Sequence, residues 1–323
     1  MIAVLFSALT ITAALPANAE GYLFENNFYQ MGQAYAQRLA SLPTDNWSQL
    51  PPDKQAACHQ RYDKILKDGV IDIRIAVGYF DWTVGSSVGQ YGISPSLDIG
   101  AYYALRGLLT SSCSGNLRFC GFRPDQKNSN RLTRDVIING QRVQAVVSIV
   151  FASATEYYSQ NTGSYRQQQQ DRSQYAENFF LNALTNADAV FYFGHARNGG
   201  GPDFKPPVFI PGTNKVDYNG YYLVRKEGVK KMTAALASAQ NRTSVLGLMA
   251  CDSRDHFLRS IRAVAPDTGV ITSLNVLGVD IVYTAMLGGA DSLLRGQCQK
   301  SFYQELRMNS QNADNITMDG MFE

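Results

Sequence analysis

The chain has 323 residues, 45% of them hydrophobic and 17% charged, with a net charge of +2. That length supports one large or two modest packed domains, and the composition excludes global disorder. The near-neutral balance argues against a nucleic-acid partner and against an anionic membrane held by bulk charge.

Ile2 to Leu15 is apolar, Pro16 breaks the run, and Ala17-Asn18-Ala19 fits a small-x-small cleavage pattern. This predicts a signal peptide over residues 1–19, with Glu20 as the mature N-terminus. The run is too short for a comfortable membrane-spanning helix. The expectation is an exported protein, secreted or periplasmic, with no stable membrane insertion after signal removal.

Residues 20–130 read as a mainly helical N-terminal region. Helices are expected over Phe28 to Leu42, Asp53 to Leu66 with Asp53 as N-cap, and Leu97 to Leu109. Tyr79 to Ser96 is rich in Gly, Ser and aromatics and reads as irregular. From residue 131 to 323 the pattern becomes α/β. Asn139-Gly140 between two apolar runs predicts a hairpin, and Arg142 to Phe151 reads as a buried strand. Gln160 to Gln170, with four consecutive glutamines, reads as an exposed loop. Then come a helix over Ser173 to Leu184, a strand over Ala189 to Gly194, and a loop opened by Gly199-Gly200-Gly201-Pro202. A helix over Glu227 to Ala239 and a strand over Thr243 to Ala250 follow. The chain continues with a helix over Arg254 to Val264, a strand over Gly269 to Leu274 and a helix over Gly278 to Leu294. Such alternation implies a mostly parallel sheet flanked by helices on both faces.

The mature chain carries Cys58, Cys113, Cys120, Cys251 and Cys298. Export permits disulfides, and an odd count leaves one thiol over. Cys113 and Cys120 flank a short loop and read as a local bridge. Cys58 could then pair with Cys298, leaving Cys251 free, although the spacing also allows other pairings.

Two runs carry the chemistry. Phe191-Tyr192-Phe193-Gly194 ends in His195, and Leu246-Gly247-Leu248-Met249-Ala250 ends in Cys251. If the two strands are parallel neighbours, imidazole and thiol emerge at the same sheet edge, where such folds place ligands. A thiol beside an imidazole is a nucleophile with its base. A helix starting near Arg254 would direct its N-terminal dipole at Cys251, and an imidazolium would favour the thiolate further. Asp252 and Asp255 are candidates to cap that helix or orient the histidine. Ser253 reads as turn support. Arg197, Asp203 and Asp252 are candidates to line a substrate cleft, with Gly199 to Gly201 as a mobile loop beside it. A metal site from Cys251, His195, Asp255 and His256 is the weaker alternative, because Cys251 and His256 are poorly spaced for one helix face. No phosphate-binding glycine motif is present. His59 has no evident partner.

The order of apolar strand ending in His, helix-bearing spacer and apolar strand ending in Ala-Cys resembles the caspase-like cysteine peptidases of clan CD. That group includes caspases, legumains, gingipains, separase and CHAT domains. The resemblance covers about residues 135–295. It implies a caspase-like fold, Cys251 as nucleophile and His195 as general base and acid. It also implies an oxyanion site from the backbone N–H groups of Cys251 and Ala196. Ala196 departs from the glycine that usually follows the family's histidine. The resulting expectation is a cysteine peptidase acting on a peptide or protein substrate, with no cofactor and no metal. The alternative is a caspase-like binding or scaffold protein of the cell envelope. No feature specifies an oligomeric state.

Overall fold

Val70-Ile71-Asp72-Ile73-Arg74-Ile75-Ala76-Val77 alternates along its length and forms strand β1 (Val70–Val77). Ile71, Ile73, Ile75 and Val77 enter one hydrophobic cluster, while Ala76 enters a second. On the other side of the strand's alternation, Asp72 and Arg74 pair with each other at 2.8 Å. This computed structural model describes residues 22, 24–80, 96–213, 215–240, 243–308 and 314–322. The expected signal peptide at 1–19 lies outside the described residues, as does most of the expected irregular segment at 79–96.

β1 is the middle of one eight-stranded sheet of order β2-β3-β4-β1-β5-β6-β7-β8. The other strands are β2 (Arg123–Pro124), β3 (Arg131–Ile138), β4 (Gln141–Phe151), β5 (Ala189–Phe193), β6 (Val245–Met249), β7 (Gly269–Ser273) and β8 (Ile316–Asp319). Strands β4, β1, β5, β6 and β7 run parallel; β3 and β8 pair antiparallel at the two edges of this set, and the short β2 pairs antiparallel with β3. The fold is therefore α/β with a mostly parallel sheet. Because β1 and β2 come from residues before 131, the boundary drawn at 130/131 runs through the strands of a single sheet.

The hairpin follows from its turn chemistry. Asn139 (φ 45°) and Gly140 (φ 79°) both adopt left-handed backbone, and Ile138 pairs with Gln141 across them. That two-residue geometry matches the strands' twist and favours Asn-Gly.

The helices divide between the two clusters. Helices α1 (Glu25–Ser41), α3 (Leu97–Thr110) and α9 (Val279–Arg295) contribute Phe28, Leu105 and Tyr283 to the cluster holding Ile73, Phe191 and Phe193. Helices α5 (Arg166–Asn186), α7 (Glu227–Ser238) and α8 (Arg259–Val264) contribute Phe180, Met232 and Ile261 to the cluster holding Val190, Tyr192 and Leu248. Alternate residues of β5 and β6 thus serve different clusters, which explains why these strands read as continuous apolar runs. The remaining helices are α2 (Pro52–Ile65), α4 (Tyr158–Thr162), α6 (Leu223–Arg225) and α10 (Gln299–Leu306). In α2, Pro51 takes the N-cap position and Asp53 lies in the first turn.

The glutamine run differs from the loop expected for it. Gln167 to Gln170 form the first turn of α5, and α4 occupies Tyr158–Thr162. Glutamine is a good helix former, so polarity alone misleads. Gln169 is buried; its Oε1 accepts from the Ala154 N–H at 2.6 Å and its Nε2 donates to the Ala152 carbonyl at 2.8 Å.

Cys58 and Cys298 lie at disulfide distance, as do Cys113 and Cys120, with Cα separations of 5.9 and 5.2 Å. Cys251 is a free thiol. Among the described residues, no helix is long and apolar enough to cross a membrane.

Candidate active site

Parallel pairing of β5 with β6 sets Phe193 against Met249. The Gly194 N–H donates to the Met249 carbonyl at 3.1 Å and carries the ladder one residue further. His195 and Cys251 each lie two residues beyond the Phe193–Met249 pair. The register therefore delivers both to the carboxyl edge of the sheet, on adjacent strands about 4.8 Å apart.

His195 is partly buried, and its Nε2 lies 3.0 Å from the Phe80 carbonyl oxygen. A carbonyl only accepts, so Nε2 carries the proton and Nδ1 keeps its lone pair. Phe80 follows β1 and also packs its ring 5.3 Å from the imidazole centroid. Burial, then the nearby Arg197 charge, pushes the His195 pKa down to about 3. The neutral imidazole is thus the resting form at neutral pH. The imidazolium expected beside the thiol is disfavoured in the resting site, because the site offers it desolvation and a like charge.

Cys251 is half-buried, and its thiol donates to the Leu277 carbonyl at 3.7 Å. Thiol and imidazole each bond a backbone carbonyl, and not each other. Asp252 adopts left-handed backbone (φ 47°), and its N–H donates to the Asn275 carbonyl at 3.0 Å. Ser253 ties β6 to β7: its hydroxyl donates to the Leu248 carbonyl at 2.7 Å and accepts from the Ser273 N–H at 2.8 Å. The helical segment that follows opens with wide π-type turns over Arg254–Leu258 before α8. Its early N–H at His256 is taken by the Asp252 carbonyl at 3.1 Å, and no side-chain cap forms. Neither Asp252 nor Asp255 therefore caps this helix through its carboxylate.

The backbone N–H groups of Ala196 and Cys251 donate to no acceptor among the described residues. Uncommitted backbone donors are what an oxyanion requires.

Arg197 and Asp203 form a brace. Arg197 is 2% exposed with φ 49°, and its Nε donates to Asp203 Oδ2 at 2.9 Å. Its Nη2 reaches the Tyr79 carbonyl at 3.4 Å, and the Tyr222 hydroxyl donates to the same Asp203 oxygen at 3.2 Å. This burial withholds the guanidinium from the open cleft expected of it. The glycine run approaches its neighbours closely. A Cβ on Gly199 would stand 2.9 Å from His256 Nδ1, and one on Gly201 would stand 2.8 Å from the His195 carbonyl oxygen. His59, in turn, packs edge-on against Trp47 and lies 3.5 Å from Asp63. Among the described residues, no group of three or more His, Cys, Asp or Glu side chains is arranged to hold a metal.

Sequence reasoning missed the Phe80 and Leu277 carbonyls. Neither has a side-chain signal, since every residue carries a carbonyl. The nearest clue to Phe80 was the alternation of β1 just before it. No protein-family model matches the chain, and no curated protein sequence matches it.

Proposed function

We propose that this protein is an exported cysteine hydrolase of caspase-like architecture, acting as a peptidase through an acyl-enzyme on Cys251. The observation that carries the reading is the β5–β6 register, which brings His195 and the single free cysteine to one edge. In the reaction, His195 Nδ1 takes the thiol proton as sulfur attacks the scissile carbonyl carbon. The oxyanion is received by the Ala196 and Cys251 N–H groups. Collapse breaks the C–N bond, and the imidazolium returns its proton to the leaving amine. Water then adds to the thioester with the same base and frees the thiol. Two cysteine pairs at disulfide distance support a secreted or periplasmic site of action. The division of helices between two clusters supports a sheet flanked on both faces.

Iodoacetamide labelling followed by peptide mapping tests the dyad. Cys251 should be the labelled residue, and His195→Ala should slow its labelling by about tenfold or more. A peptide library should then yield cleavage that Cys251→Ala abolishes. An unreactive Cys251 would sink the proposal.

The second reading is a non-catalytic binding or scaffold protein. It is favoured by the separate carbonyl bonds of the thiol and the imidazole. Labelling indifferent to His195→Ala, with no peptide cleaved, would select it.

A further inference from the structure

One open cavity among the described residues is lined by neither His195 nor Cys251. It encloses about 890 Å³ between the start of α5 and the segment that follows the Arg197–Asp203 brace. Tyr158, Phe209, Pro206 and Pro207 supply its apolar surface. Tyr158 is 5% exposed and packs edge-on to Phe209, with ring centroids 6.2 Å apart, so this surface is held in place. Arg166 and Lys205 supply charge, and none of the residues lining the cavity is acidic.

The two cations are weakly committed. Arg166 is exposed and makes no ion pair among the described residues. Lys205 reaches Glu177 only at 3.9 Å, and that carboxylate is engaged by Lys231 at 2.7 Å. A volume in the range of roughly 300–1,000 Å³, an apolar wall and a few convergent polar groups describe a small-molecule pocket. Two under-used cations set the sign of the ligand.

We propose that this cavity binds a small organic anion with an apolar body, its ring or chain against Tyr158, Phe209 and the prolines and its acid group between Arg166 and Lys205. The site does not depend on the chemistry of Cys251.

Two fluorescent probes of similar shape and different charge test it: anilinonaphthalene sulfonate, an anion, and phenylnaphthylamine, which is neutral. Titrated into the full chain, the sulfonate should bind saturably, one per molecule. Arg166→Glu and Lys205→Glu, both exposed and tolerant sites, should each weaken it about tenfold. The same variants should leave the neutral probe within about twofold, while Phe209→Asp should weaken both probes. Cys251→Ala should change neither. Thermal melts of each variant confirm folding. Sulfonate binding that ignores both charge reversals, or that is unsaturable, overturns the proposal. So does a Phe209→Asp variant that melts like the parent and binds the sulfonate as well as the parent does.

Discussion

An imidazole held neutral changes what pH can do to the molecule. The pKa of His195 is pushed down to about 3 by burial and then by Arg197, against about 6.5 in an unfolded chain. Below pH 6.5 the unfolded chain takes up a proton that the folded one refuses until about pH 3. Folding stability therefore declines as pH falls through that interval. Between pH 7 and 4 the parent protein should lose about 2 kcal/mol more than His195→Gln, an amount discounted for the ring's partial exposure and read from urea midpoints. Labelling of Cys251 should likewise show no loss of His195 base function near pH 6.5. Constant labelling assistance down to pH 5, after correction for thiolate content, is the expected result. At this scale the candidate side chains are legible in the sequence but their partners are not. His195 and Cys251 announce themselves by type and position, whereas the carbonyls that hold them are chemically anonymous. Arg197 illustrates the converse: its charge suggested a cleft, and only packing against Asp203, Tyr79 and Tyr222 shows it to be buried.

Local chemistry made most elements readable, and turns were the clearest case. Gly140 has φ 79° and nothing within 4 Å of an added Cβ, so Gly140→Ala isolates backbone strain from crowding. It should cost about 1 kcal/mol, measured by denaturant unfolding. The β5 and β6 runs were legible because strands buried by both clusters lose alternation and become uniformly apolar. Strand β1 alternates strictly over Ile71, Asp72, Ile73, Arg74 and Ile75, but helical patterns on both sides of it mask so short a signal. The first turn of α5 was obscured differently. Four glutamines look like solvent-facing chain, yet Gln169 uses its amide to hold the backbone at Ala152 and Ala154. One-sided packing leaves alternation and two-sided packing leaves an apolar run, whereas buried amide contacts leave neither trace.

Across the whole molecule, the two cysteine pairs differ in reach. Cys58–Cys298 closes a sequence separation of 240 residues, and Cys113–Cys120 closes 7. Constraint of the unfolded chain grows with the loop closed, so replacing Cys58 and Cys298 by Ser should cost about 2–4 kcal/mol. Replacing Cys113 and Cys120 should cost less, and thermal melts of the two double variants should rank them in that order. The sheet's order has a consequence for biogenesis. The first of the described strands to be synthesised, β1, is central, and β4 and β5 later join its two sides. Cys58 thus emerges well before Cys298, and Cys113 and Cys120 pass by in between. A premature bond from Cys58 to either would trap the chain. The order of the chain thus favours closing the local pair first, while Cys58 stays free until the assembled sheet brings it to Cys298.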